Sequence, residues 1–265
     1  MKINYTTEIF FLGFVIALSL VGFSSLFVGS LEELTAFHYA HIATSLAWLV
    51  LLLSQLVLIQ QGSFRRHRAV GRAIFFAGPV LVATLTLLTV HSAAKDAVAG
   101  RADFMIIQNV MVTFEVALLI VLAFALRRNR YVHGALLLGT AVLFMGIALF
   151  FTLISYVPGF AAGPGTRPRF AEAAQAISYA GGLTGLLFFL KNRKVGWPWL
   201  LAGSFFLLNG LLQVAVARMN GTKALTLQVA SLGRWPAFAL GLLTFAALLG
   251  WAWRHAQSTP RSSRQ

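Results

Sequence analysis

Long apolar runs dominate this chain, and short segments rich in arginine and lysine punctuate them. Crossing the ~30 Å hydrocarbon core of a bilayer takes about 20 helical residues at ~1.5 Å rise each. Runs of roughly that length predict spans at 8–30, 36–60, 70–92, 104–126, 133–156, 171–190, 197–217 and 231–253. Polar residues gather at the ends of these runs and do not alternate along them, so a transmembrane barrel is not expected. The pattern predicts an all-α, polytopic transmembrane bundle of about eight helices, forming a single domain over residues 1–253.

The basic segments alternate between two sides. Arg65, Arg66, Arg68 and Arg72, then Arg127, Arg128 and Arg130, then Lys191, Arg193 and Lys194, then Arg254, Arg261 and Arg264, fall on one side together with Lys2. That makes 14 cations, against 7 on the other side (Lys95, Arg101, Arg167, Arg169, Arg218, Lys223 and Arg234). Short loops rich in Lys and Arg stay in the cytoplasm, so both termini are expected there. Glu32, Glu33, Asp96, Asp103 and Glu172 fall outside. No clear cleavage site follows the first run, which is expected to remain as the first helix.

The longest outer connection, Pro158 to Arg169, reads PGFAAGPGTRPR and is expected to be a loop, with a lid as one use. The segment 254–265 (RHAQSTPRSSRQ) is expected to be a disordered basic cytoplasmic tail that touches anionic lipid.

Composition agrees with the pattern. Of 265 residues, 58% are hydrophobic and 11% charged, and the mean hydropathy is +0.80. The formal charge of +14 comes from segments between apolar runs, with no continuous basic face, so no nucleic-acid partner is expected. The lipid bilayer is the expected partner, and a bacterial inner membrane the expected location. The chain has no cysteine, which excludes disulfides and thiolate ligands.

Candidate chemistry lies mainly in the first half. His38 and His41, in FHYAH, are three residues apart on one face at the outer start of the second span. The third span returns His91 to the same leaflet. Such a cluster suits haem iron, a divalent metal or a proton relay, because imidazole both ligates metals and titrates near neutrality; interfacial residues that bind nothing are the alternative. Within the cluster, His41 and His91 are the expected axial or metal pair. At the inner surface, His67 lies in FRRHRAVGR, read as a loop, and His133 opens the fifth span. An inner haem there would pair its propionates with Arg65, Arg66 or Arg127; positive-inside anchoring, which already explains these arginines, is the stronger reading.

Glu115 falls in the middle of the fourth span, where a carboxylate costs at least ~2.5 kcal/mol. It is a candidate proton carrier, ion site or ligand contact, with a structural carboxyl hydrogen-bonded between helices as the alternative; Gln108, Asn109, Thr113, Ser54 and Gln55 are candidate partners. Asn209 and Gln213 read as interhelical glue. Gly181, Gly182 and Gly185 are expected to permit close helix approach. No phosphate-binding loop, H-E-x-x-H, G-x-S-x-G or histidine-box set occurs, and no lysine lies in mid-span to carry retinal.

The run F-H-Y-A-H, with Trp48, Gln55, R-H-R-A-V-G-R from Arg66 to Arg72, and His133, resembles a group of uncharacterised bacterial multi-pass inner-membrane proteins. The likeness covers residues 8 to 155. His38 and His41 are spaced three apart where that group has a closer pair, and Gly134 follows His133 where it tends to have a basic residue. The resemblance implies membrane topology and a histidine-bearing core. In layout the chain is also similar to membrane b-type cytochromes, which implies axial histidines on neighbouring helices and haem b as a candidate cofactor.

Three functions follow as expectations. The first is a haem-binding or redox-active membrane protein. The second is a cofactor-free, proton-coupled transporter or sensor using Glu115. The third is an accessory subunit held by a partner in a membrane complex.

Overall fold

In hydrocarbon, backbone N–H and C=O groups have no water to turn to, so apolar runs fold as helices that satisfy them internally. The computed structural model describes residues 5–28, 34–103, 105–163 and 167–258. Among these residues there are ten helices and no strand: α1 (Thr6–Val28), α2 (Ala36–Gln60), α3 (Phe64–Gly71), α4 (Ile74–Val98), α5 (Ile106–Ala125), α6 (Arg130–Tyr156), α7 (Phe170–Lys191), α8 (Trp197–Arg218), α9 (Gly221–Ser231) and α10 (Arg234–Ser258).

Eight of them are long and apolar enough to cross a membrane; the two short helices, α3 and α9, are not. The protein is an all-α polytopic bundle. Large apolar side chains such as Phe10, Phe76, Leu211 and Leu243 are exposed on its flanks, where lipid covers them.

The structure departs from the sequence expectation in three places. The segment holding His67 is the helix α3 and not a loop; the third span accordingly begins at Ile74 and runs on to Val98. A second short helix, α9, packs against α4 and α8. Residues 254–258, expected to begin a disordered tail, continue α10, while 259–265, with Arg261 and Arg264, lie outside the described residues, as do Lys2, Glu32 and Glu33.

α4 and α6 form the centre. In their most apolar stretches 67% and 72% of residues are buried within the protein, against 22–39% in the other six spans. α2 and α5 each pack on both of them. Small residues set the closest approaches. The Phe206 ring of α8 wedges between Gly146 on α6 and Gly181 on α7, where any Cβ would collide with it at 2.3 Å. Gly185 and Gly203 let α7 and α8 meet backbone to backbone: a Cβ on Gly185 would lie 2.5 Å from the Trp199 carbonyl oxygen.

The helix ends pair consistently. At the end carrying the arginine clusters, Lys191 Nζ on α7 donates to both carboxylate oxygens of Glu8 on α1, at 2.8 and 2.9 Å. Arg127 stacks 3.4 Å over the Trp253 ring, and Arg128 donates to the Ala256 carbonyl at 2.9 Å, so both guanidiniums sit at the C-terminal end of α10, where the helix dipole favours cations. At the opposite end Ser24 and Tyr156 share a hydrogen bond of 2.8 Å. The loop after α6 folds back there through Arg169 N–H to the Phe160 carbonyl.

The glycine packing yields a paired test. Gly185→Ala forces α7 from α8 and should cost about 1–3 kcal/mol. Gly182→Ala, whose added methyl meets nothing within 4 Å, should be neutral or gain up to about 1 kcal/mol from helix propensity. Unfolding followed by circular dichroism in mixed micelles measures both; equal losses would contradict this packing.

Candidate functional site

The face of α2 turned into the bundle carries a polar seam. His38, His41, Ser45, Trp48, Leu52 and Gln55 recur at alternating three- and four-residue steps, which places them in one row along the helix. Trp48, Ser45, Leu52 and Gln55 are buried. The row runs from the end opposite the arginine clusters to the arginine end.

At its open end the seam meets His91. The His38 and His91 rings stand edge to face with centroids 5.6 Å apart, and Phe37 covers the other side of His91 at 4.7 Å. His38 also has a local task. Its Nδ1 accepts from the Thr35 backbone N–H at 3.2 Å and lies 2.9 Å from Thr35 Oγ1, so it caps the first turn of α2 much as an acidic residue closes a capping box. With Nδ1 accepting, the ring proton sits on Nε2. Thr35 Oγ1 lies 3.4 Å from His91 Nε2, tying the two helices together. Thr35, His38, His91, Lys95, Val98 and Arg234 line a cavity of about 450 Å³, and no carboxylate is among its described walls. The Arg234 guanidinium stands 5.6 Å over the Phe37 ring.

His41 lies one turn deeper. Its Nε2 is 3.4 Å from Ser45 Oγ, and its buried Nδ1 has no hydrogen-bond partner. The histidine placed against His91 is His38; no ring contact joins His41 and His91 among the described residues. Below His41, Thr44 and Thr84 share a 2.8 Å hydroxyl bond from α2 to α4, and Trp48 Nε1 donates to Thr140 Oγ1 on α6 at 2.9 Å. Leu52, 2% exposed, then interrupts the row.

The seam resumes at Gln55, whose buried amide has neither its oxygen nor its nitrogen paired. The amide oxygen faces Gly71 of α3, where a Cβ would lie 3.1 Å away; a larger residue at 71 would displace it. Burial pushes His67 below the usual histidine range, attraction to the Gln55 backbone carbonyl works the other way, and the charge of Arg68 lowers it further. His133 Nδ1 donates to the Ala123 carbonyl at 2.7 Å, which leaves Nε2 as the acceptor, and its ring meets Phe124 edge-on at 5.3 Å. His67 lies near enough to His133 for their charges to interact. His38, His41, Trp48 and Gln55 thus lie in one row on α2, Gly71 of α3 faces the Gln55 amide, and His67 on α3 and His133 on α6 stand at the arginine-rich end. Arg127, expected as a propionate partner, is engaged by Trp253.

Glu115 stands apart from it. It is 3% exposed on α5, and its hydrogen bond comes from Asn209 Nδ2 of α8 to Oε2 at 3.4 Å. Glu115 Oε1 and Asn209 Oδ1 are both buried and unpaired. Of the expected partners, Ser54 donates to Leu51 O and Thr113 to Asn109 O, and Gln55 lies in the seam with its amide unpaired. Asn209, read from sequence as glue, is the residue that holds Glu115. Its separation of 94 positions left no local signal.

Among the described residues no group of three or more His, Asp or Glu side chains is arranged to hold a metal ion. No family model, no curated protein and no solved structure matches this chain.

A carboxylate in mid-span costs at least ~2.5 kcal/mol, and the group that meets Glu115 is a neutral amide. Glu115→Gln keeps the shape and adds an N–H for the unpaired Asn209 oxygen, so thermal stability in detergent should hold or rise. Asn209→Ala should cost about 0.6–2 kcal/mol. A large loss in Glu115→Gln with Asn209→Ala tolerated would mean that the carboxyl is needed charged.

Proposed function

We propose that the protein is a cofactor-free, proton-linked transporter or sensor of the bacterial inner membrane, with α2 as its proton-responsive element. The observation that carries this reading is the polar seam, which begins at an open cavity and reaches the arginine-rich end with one apolar interruption at Leu52.

The seam has the chemistry such a task needs. Imidazoles exchange protons near neutral pH, and hydroxyl pairs such as Thr44–Thr84 both donate and accept. From Trp48 to Gln55 the helix rises about 10 Å, and Leu52 fills that interval. Trp48 can only donate, to Thr140 Oγ1, whose own hydroxyl donates to the Leu137 carbonyl, so a proton path from the cavity side stops there, and the unpaired Gln55 amide does not continue it. The resting conformation is therefore closed, and motion or hydration around Leu52 is the step that opens it. Glu115 acts as a second protonatable group in the bundle interior, on α5 and not on the seam. The charge bias assigns the cavity to the outer side and His67 and His133 to the cytoplasmic side.

The haem reading is the weaker one at the outer cluster. Axial imidazoles approach an iron porphyrin from opposite faces of the ring, whereas the ring that meets His91 directly is His38 and not the expected partner His41, and Nδ1 of His38 is spent on a helix cap. One observation favours a ligand at the inner end: His133, with Nδ1 donating to a backbone carbonyl, has the orientation that ligating histidines adopt.

Proteoliposomes loaded with a pH-sensitive dye test the proposal. Relaxation of an imposed pH gradient should quicken several-fold in Leu52→Ser, which puts a hydroxyl in the apolar interval, and slow again in Leu52→Ser combined with His41→Leu. Identical rates in all three folded proteins would sink the seam as a proton path. The purified protein should be colourless; a dithionite-reduced b-type spectrum that disappears in His133→Ala or His91→Ala would replace this reading with the redox one.

A further inference from the structure

At the arginine-rich end, an open groove of about 640 Å³ lies between the start of α4 and the last turns of α10, lined by Arg72, Phe75, Gly250, Trp253 and Arg254. Its floor is apolar and its rim carries two guanidiniums. We propose that this groove is a binding site for one anionic phospholipid, its phosphodiester held between Arg72 and Arg254 and an acyl chain laid along Phe75, Gly250 and Trp253.

Three features support that occupant. Both arginines are exposed, and neither has a carboxylate partner among the described residues, where the ion pairs are Arg101 with Asp96, Arg169 with Glu172 and Lys191 with Glu8. Guanidinium binds phosphate through paired N–H donors, and basic pockets between spans at the cytoplasmic surface suit anionic headgroups. The apolar wall is rigid and built for contact. Trp253 is fixed by Arg127 on one ring face at 3.4 Å and by the Phe75 edge at 5.1 Å, and Phe75 packs on Phe124 at 5.2 Å.

The third feature is Gly250. A Cβ there would meet nothing within 4 Å, so the glycine is not required by helix packing and leaves the groove open beside Trp253. The site places charge at headgroup depth and apolar surface just below it, which matches a lipid and not a water-soluble phosphate. It shares no residue with the α2 seam, so it stands or falls independently of the proposed function.

The delipidated full chain in detergent, titrated with phosphatidylglycerol or phosphatidylcholine and read by native mass spectrometry, tests the site. Wild type should retain one phosphatidylglycerol with a preference on the order of 30-fold, as two surface arginines contribute. Arg72→Gln with Arg254→Gln should abolish the preference, and the corresponding lysine pair should keep most of it. Gly250→Leu should block binding of both lipids at this position without lowering the melting temperature of the lipid-free protein. Retention of the preference in the glutamine pair, indifference to Gly250→Leu, or equal binding of inorganic phosphate would each overturn the assignment.

Discussion

Every polar group that this chain carries into hydrocarbon has to find its partner inside the bundle, and that requirement sorts the side chains into two kinds. Serine and threonine meet it alone by donating to the carbonyl three or four residues back, as Ser19 does to Val15, Thr86 to Val82, Ser178 to Ala174 and Thr184 to Ala180. They cost the fold little and reveal little. Glutamate, glutamine, asparagine and histidine cannot be satisfied in this way. Their groups either reach a neighbouring helix or remain unpaired: Glu115, Asn209, Gln55, His41 and His67 retain buried unpaired atoms, as do Ser155 Oγ and Arg127 Nε nearer the helix ends. Each such atom costs on the order of 1–3 kcal/mol, so α2, with His41 and Gln55, and the Glu115–Asn209 pair are places where the bundle interior has yielded stability to something else.

The rest of the architecture makes those positions tenable. α4 and α6 are shielded by the other spans, so the polar contacts they make with α2, Thr84 with Thr44 and Thr140 with Trp48, are held away from lipid. Phe206 locks α6, α7 and α8 together by occupying space that only glycine can vacate at positions 146 and 181. At the arginine-rich end, the Glu8–Lys191 pair and the guanidiniums on α10 tie the periphery down. A rigid periphery lets the interior carry unsatisfied groups without collapsing around them.

The spans were legible in the sequence because twenty consecutive apolar residues admit few other structures. α3 and α9 were not, for a physical reason. Each is short, and neither has the apolar length on which that reading depends; FRRHRAVG shows only its charge, so His67 read as a loop residue. The return of His91 to the leaflet of His38 followed from counting helical rise, but which of His38 and His41 meets it depends on the relative height of α2 and α4, which hydrophobicity does not specify. The depth of Glu115 was legible, while Asn209 as its partner was not, since only packing of α5 on α8 brings them together. The capping role of His38 was also hidden, because a histidine at that position reads first as a ligand.

The seam and Glu115 belong to different helix pairs, yet one step of α6 touches both. Thr140 accepts the Trp48 hydrogen bond from the seam. At the adjacent Gly139, a Cβ would lie 3.1 Å from Ala202 of α8 and 3.5 Å from Leu119 of α5. Leu119 is one turn from Glu115, and Ala202 lies two turns from Asn209 on the same face. Movement of α5 against α8 therefore presses on the same segment of α6 that holds Trp48, immediately beside the Leu52 interval. A close-packed interior transmits such displacements instead of absorbing them. On the function proposed above, protonation at one site and opening at the other would thus be linked mechanically, without a hydrogen-bonded chain running between them.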